Sequence, residues 1–291
     1  MPTIFKKIID KLIYLSPGNF YIDKILSLIA FRIVNKRFPR KTMLLNDVIF
    51  RMKTNKKIMY NTLRQKISDK ELVKNYISKK IGSRYAVPTL MIFKNKKEVK
   101  QESIPNKCVI KSTHGNSQML IRRNGENLDI DLIKSWLSED YYKITREGNY
   151  RYLQPKIIVE PIVFSEEGIF PHNAPVDYRV FCYNGIAKLL AVDMNRYIKL
   201  SRIYFDLNLN RLYCGSTYPL YDGNFELPKN IRKIIELAEN ISSDFKGLIR
   251  PDFYTNGSQI YVGEITNLPG GAHNVFYTPN SEKEISELIF N

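Results

Sequence analysis

The sequence predicts an α+β protein with a basic helical N-terminal extension. Three observations lead there. Strand-like runs come in pairs across short polar turns, amphipathic helical runs lie between those pairs, and positive charge is concentrated at the start of the chain. Of the formal charge of +16, residues 1–60 hold +10, with 13 Lys or Arg against Asp10, Asp23 and Asp47. The 291 residues suffice for one large or two to three small packed units. No apolar run approaches the length of a membrane span, and the N-terminus lacks the pattern of a secretory signal, so a cytoplasmic protein is expected. Cys108, Cys182 and Cys214 have neither a pairing framework nor metal-ligand spacing, and His114, His172 and His273 form no ligand motif.

The first element is a basic amphipathic helix, with Ile4, Phe5, Ile8, Ile9, Leu12 and Leu15 at helical spacing and Lys6, Lys7 and Lys11 between them. Ser16-Pro17-Gly18-Asn19 ends it, a second helical pattern covers residues 21–34, and a basic stretch runs through residues 35–41. Ser68-Asp69-Lys70 opens a third helix, whose apolar positions Leu72, Val73, Tyr76, Ile77 and Ile81 precede the stop at Gly82. Strands are expected over residues 85–93, 107–111 and 119–121, the last two joined by the polar loop 112–118. Residues 129–138 read as helix, 157–163 as a buried strand, 177–191 as a hairpin turning at Asn184-Gly185, and 228–244 as the last long helix. A final hairpin joins residues 248–254 to 259–267.

That hairpin carries the strongest functional clue. Asp252 and Glu264, with Arg250 two residues before the first acid, suit a divalent cation carrying phosphates if they share a face, because Mg²⁺ takes hard oxygen ligands and a guanidinium matches a phosphate oxygen pair. A two-residue turn at Asn256-Gly257 puts the acids on opposite faces. A three-residue loop, 256–258, pairs Thr255 with Gln259, Asp252 with Val262 and Arg250 with Glu264, and unites them. The alternative is a surface hairpin whose charges face water. Lys111 ends an apolar strand before a small-residue loop, a position from which an ammonium and backbone amides reach phosphates. Glu160 closes another apolar strand, followed by Pro161, Ile162 and Val163, an extended segment able to bond an adenine edge. Taken singly, each of these two is equally a solvated strand end.

Their order changes the reading: Lys70, Lys111, Glu160, Asp177, Arg250-x-Asp252, Glu264 and Pro269-Gly270. With the motifs Val-Ile-Lys-x-x-His-Gly, Ile-Val-Glu, Asp-Tyr-Arg-Val-Phe-Cys-Tyr-Asn-Gly and Arg-x-Asp-Phe-Tyr…Gly-Glu-Ile-Thr, the segment 68–271 resembles the ATP-grasp superfamily, and within it the teichuronopeptide-biosynthesis (TupA-like) branch. The resemblance implies two α+β subdomains clasping ATP. It divides the chain into a basic helical extension (1–60), the N-terminal part of the ATP-grasp unit (61–105), an ATP-binding subdomain with a phosphate-covering loop (106–163) and a C-terminal metal- and substrate-binding subdomain (164–291). It assigns Lys70 and Lys111 to ATP phosphates, His114 and Gly115 to the covering loop, Glu160 and the backbone of Pro161, Ile162 and Val163 to adenine, and Asp177 to ribose. Arg250 then contacts the transferred phosphoryl group, Asp252 and Glu264 hold Mg²⁺, and Asn267 is the candidate third ligand. Two departures stand out: the covering loop has one glycine where this branch has several, and Thr266 occupies the position at which many members have Asn.

The implied activity is ATP-dependent carboxylate–amine ligation through an acyl phosphate, joining an amino acid or other amine to a uronic acid of a cell-surface polysaccharide or its precursor. Arg179, Arg196 and Arg202 are the candidate carboxylate contacts. A phosphotransferase on the same site is one rival, and a non-enzymatic basic protein associated with membrane or nucleic acid is another. For the basic extension a solvated face ranks first and an anionic membrane at the inner face second; nucleic acid is not expected, since no recognition motif accompanies the charge. Lying outside the motifs, the N-terminal helix is expected to be dispensable for chemistry.

Overall fold

The computed structural model describes residues 13–116, 118–164, 176–194, 199–215, 218–276 and 279–291. Most of the predicted first helix, and His172, lie outside them. The chain forms two compact units: Met1–Pro39, Phe50–Leu72 and Pro88–Ile162 in the first, Arg40–Ile49, Val73–Val87 and Val163–Asn291 in the second.

The first unit is built on an antiparallel sheet of order β1-β4-β2-β3, from Met91–Phe93 (β1), Cys108–Ser112 (β2), Met119–Arg122 (β3) and Ile157–Glu160 (β4). Cys108, Ile110, Ile157 and Val159 point into one core with Phe93, Ile133 and Trp136. Strand alternation therefore turns Lys111 and Glu160 to the other face. The strand expected over 85–93 begins only at Met91, since residues 83–85 form a 3₁₀ turn and Pro88 has no donor for a ladder.

The second expected helix is Phe20–Asn35, started by Asn19, whose side chain accepts the N–H of Tyr21. Its inward face carries Asp23, Ser27 and Phe31. Asp23 accepts the Tyr142 hydroxyl at 2.6 Å and faces Arg146 at 3.4 Å, while Arg146 also donates to the carbonyls of Ser16 and Pro17. A buried guanidinium of the first unit therefore takes its partners from residues 16–23.

The second unit holds a six-stranded antiparallel sheet of order β10-β9-β5-β6-β7-β8, from Asp177–Tyr183 (β5), Ile186–Met194 (β6), Ser201–Phe205 (β7), Arg211–Leu212 (β8), Leu248–Thr255 (β9) and Ile260–Thr266 (β10). The helix Ile231–Ser242 packs on it through Ile231, Ile234, Ala238 and Ile241, which follow the helical period. A C-terminal helix, Pro279–Phe290, also packs on β5 and β6.

The β9–β10 register differs from both sequence expectations. A four-residue loop pairs Thr255 with Ile260 and Phe253 with Val262; a bulge at Gly263 then pairs Asp252 with Glu264 and Arg250 with Thr266. The longer loop alone would split the acids between faces, and the extra residue of the bulge reunites them. Glycine suits this point because a Cβ at 263 would lie 2.5 Å from the Tyr254 ring.

Candidate active site

In the first unit, β2 and β4 set Lys111 opposite Ile158 and Val109 opposite Glu160, so Lys111 and Glu160 are diagonal neighbours and form an ion pair at 2.8 Å. Both side chains are largely buried. Beyond β2, the loop 112–118 is clamped at its base: the Ser112 N–H donates to the Gln118 carbonyl and the Thr113 N–H to the Lys156 carbonyl. Asp69 caps the following turn by accepting the N–H groups of Glu71 and Leu72, accepts the Thr113 hydroxyl at 3.1 Å and pairs with Lys156 at 3.1 Å. Lys70 donates its N–H to the Thr113 carbonyl and its ammonium to the Gly115 carbonyl, which brings this predicted phosphate ligand onto the loop. Gly115 is tightly enclosed: a Cβ would lie 2.9 Å from Gln118 and 3.0 Å from Ser112. Pro161, Ile162 and Val163 follow β4 as half-buried backbone outside any strand.

His114 is buried in this loop. Burial pushes its imidazole below the ordinary range and the Lys70 ammonium adds to this, against the Glu139 and Trp136 carbonyls and Asp69. The unfolded chain then binds more protons than the folded one just below the ordinary histidine value of about 6.5, so the contribution is complete above that pH and is lost as pH falls. Melting temperature is expected to drop with acidification through this window, less steeply in His114→Gln. An identical slope in the variant would assign the loss to other groups.

In the second unit a row of charges crosses five strands on one sheet face. Arg202 on β7 stands opposite Asp193 on β6, Asp193 opposite Asp177 on β5, Arg179 opposite Asp252 on β9, and Asp252 opposite Glu264 on β10. Arg250 forks onto both oxygens of Asp252, at 2.7 and 2.6 Å, and also donates to the Thr266 hydroxyl at 3.0 Å. Arg179 lies 3.1 Å from Asp177, 3.0 Å from Asp193 and 3.6 Å from Asp252. Arg202 spends its guanidinium fork on Asp193.

Burial pushes Asp252 up to about 7, opposed by Arg250 and Arg179 and reinforced by Glu264. Burial also acts on Asp193, but there the hydrogen bond and charge of Arg202, with Arg179 and Arg250, outweigh it and hold the carboxyl below the usual range. The same carboxylates raise Arg179 against its own burial.

Of the residues expected from sequence, Arg250, Asp252, Glu264, Asp177, Arg179 and Arg202 thus join one network, and Lys70, Lys111, His114, Gly115 and Glu160 belong to the loop and its flanking strands. Asn267 is buried just past the end of β10. Arg196 lies outside the described residues. Sequence reasoning missed Asp193, which reads only as an acid inside an apolar strand, and Asp69 and Lys156, whose pairing spans 87 residues of sequence.

A cation would find oxygen donors only. Asp252 and Glu264 face each other across the hairpin, and the seven charged side chains of the row comprise four carboxylates against three guanidiniums, one negative charge in excess when all are ionised. That donor set fits Mg²⁺, which takes one or two carboxylates and fills its remaining positions with water and phosphate oxygens. Among the described residues no group of three or more His, Cys, Asp or Glu is placed to hold a metal ion.

A family model, TupA-like ATPgrasp, matches residues 49–290. Solved structures similar to the chain include a D-alanine–D-alanine ligase from Helicobacter pylori, at 15% identity and TM-score 0.38, covering 77% of this chain and 61% of that one. A D-alanine–D-alanine ligase from Bacillus anthracis complexed with ATP has 14% identity and TM-score 0.40, covering 70% and 56%. A phosphoribosylamine–glycine ligase from Thermotoga maritima has 12% identity and TM-score 0.41, covering 76% and 51%. The chain therefore spans less than two thirds of each of these proteins. No curated protein matches the chain.

Proposed function

The chain belongs to the TupA-like ATP-grasp family, and from that premise we propose that it is an ATP-dependent carboxylate–amine ligase that joins an amino acid or another amine to a uronic acid of a cell-surface polysaccharide or its precursor. The observation that carries this reading is the pairing of Asp252 with Glu264 across the bulged hairpin, with Arg250 on the same face. It supports a site for phosphates held by a divalent cation.

A carboxylate is a poor electrophile. Its oxygen attacks the γ-phosphorus of ATP, the bond to the β-phosphate oxygen breaks, and ADP leaves. The amine nitrogen then attacks the carbonyl carbon of the resulting acyl phosphate, inorganic phosphate departs with the C–O bonding pair, and the nitrogen loses a proton to solvent. Asp252 and Glu264, with Asn267 as candidate third ligand, would hold Mg²⁺, which when bound would supply charge neutralisation at the phosphate oxygens. Lys111, Lys70 and the backbone of the loop 112–118 bind phosphate oxygens. Lys111 pairs with Glu160 in the free protein; with ATP bound it would meet the phosphates, and Glu160 with the backbone of residues 161–163 would receive adenine. Arg250 has its fork on Asp252 and is the side chain that stabilises charge on the transferred phosphoryl group. Asp177 is the ribose acid, oriented by Arg179. Arg179 and Arg202 orient this face from their carboxylate partners and are the candidate contacts for the substrate carboxylate. In this reading the enzyme works in the cytoplasm, with peripheral contact at the inner face of the membrane.

Purified full-length protein incubated with ATP, Mg²⁺, uronic acids and amines is expected to yield an amide by mass spectrometry, with one inorganic phosphate released per amide. Lys111→Met is expected to lower turnover by about 10²–10³. A phosphorylated product with no amide would replace the ligase by a phosphotransferase, and full activity in Lys111→Met would remove the phosphate assignment.

A further inference from the structure

The helix Phe20–Asn35 is inverted relative to an ordinary surface helix. Its inward face holds Asp23 and Ser27 beside Phe31, whereas its outward face carries Tyr21, Ile25, Ile29 and Ile33, exposed by 74%, 57%, 49% and 46%. These four are spaced by four residues and form one stripe along a helix about 24 Å long. Leu15 and Phe38 extend the exposed apolar surface at either end. A domain ordinarily buries such a stripe and leaves the acid outside. Here Asp23 is held inside by Tyr142 and Arg146, so the orientation is fixed by specific bonds.

Charge identifies what covers the stripe. Lys24, Arg32 and Lys36 are exposed on and beside the same face, and Arg37, Arg40 and Lys41 follow; over residues 20–41 Asp23, turned inward, is the sole acid. An outward surface of isoleucines among cations with no anion suits an anionic lipid surface, where the apolar side chains enter the acyl boundary and the cations meet headgroups. Among the described residues no helix is long and apolar enough to cross a membrane, so this helix would lie in the interface plane.

We propose that the outward face of the helix Phe20–Asn35 docks the protein on an anionic membrane. The proposal rests on the reading of the protein as a peripheral enzyme of surface-glycan precursors, and gives that contact its residues.

The test uses the full chain without nucleotide, sedimented with phosphatidylcholine vesicles with and without phosphatidylglycerol. Wild-type protein is expected to bind the anionic vesicles only, less tightly as salt rises. Ile25→Ser/Ile29→Ser is expected to bind about tenfold more weakly, and Lys24→Gln/Arg32→Gln to lose the preference for phosphatidylglycerol, both with the melting temperature of the wild type because these side chains point outward. Anionic-vesicle binding that is absent in the wild type, or unchanged in the isoleucine variant, overturns the proposal. So does a dimer in solution that the isoleucine variant dissociates, which would assign the stripe to a second copy, or binding that appears only when residues 1–12 are removed, which would assign it to that segment. Amide formation on soluble substrates, measured on the same preparations, reports the ligase reading separately and is expected to be equal in all of them.

Discussion

Asp252→Ala is expected to abolish turnover and also to lower the melting temperature by many degrees, whereas Glu264→Ala is expected to abolish turnover with the melting temperature nearly unchanged. As like charges on one hairpin face, the two acids would be expected to relieve repulsion on removal and leave the fold intact. Burial separates them. Asp252 is 2% exposed and accepts the Arg250 fork with both oxygens, so alanine leaves one guanidinium without its main partner and deprives Arg179 of another carboxylate. Removing one member of a buried pair costs about 3–5 kcal/mol. The Glu264 side chain is 40% exposed and sits 3.5 Å from Arg250, in the range where a pair contributes about 1 kcal/mol or less. Asp252→Asn keeps the shape and one acceptor, and falls between the two in stability while matching the alanine variant in turnover. Thermal melts beside turnover assays decide the matter. An Asp252→Ala protein that melts like the wild type would mean that the Arg250 fork adds nothing to the fold, and an active Glu264→Ala protein would remove the metal assignment.

The hairpin also marks how far sequence carries. Its two strands and its turn are legible from alternation and from Asn256-Gly257, yet the register is not, because it depends on a loop one residue longer than the three-residue case and on a bulge where Gly263 lets the Tyr254 ring approach. Two displacements of one residue cancel, and the three charged groups meet by a route that periodicity alone does not reveal. Lys111 and Glu160 were readable as strand ends, since β2 alternates and β4 is apolar, but their diagonal contact needs the pairing of strands 49 residues apart. Asp193 gave no local signal, because its meaning comes from Arg202 and Arg179 on the neighbouring strands. The C-terminal helix has a weak sequence pattern for another reason: Ile285, Leu288 and Ile289 are few among polar residues, and the helix is held partly by side-chain bonds such as the Leu45 N–H to Ser286. In the helix Phe20–Asn35 the period and the cap are legible, but the buried side is not. Pattern alone sends the isoleucines inward, and only Tyr142 and Arg146, more than a hundred residues away, determine that Asp23 goes there instead.

Deleting the residues before Phe38 is expected to leave the first unit unfolded or aggregated, a larger effect than any single substitution at the charged face. Phe31 is fully buried with its ring 5.2 Å from that of Phe50, and its loss opens a cavity of the kind that costs about 3–5 kcal/mol. Arg146 is buried too, and the deletion strips it of Asp23 and of the carbonyls of Ser16 and Pro17, leaving an orphaned guanidinium at a cost of similar size. Together the two losses approach the total stability of a typical domain, about 5–15 kcal/mol. Point variants grade the effect. Asp23→Ala removes the acceptor of the Tyr142 hydroxyl and the charge facing Arg146 and should be strongly destabilising, while Asp23→Asn keeps an acceptor for Tyr142 and should lie closer to the wild type. Melting curves and limited proteolysis of the series provide the measurement. A deletion variant that stays soluble, melts with the full-length protein and still binds ATP would return residues 13–37 to the status of an appendage, and would mean that Arg146 finds equivalent partners once Asp23 is gone.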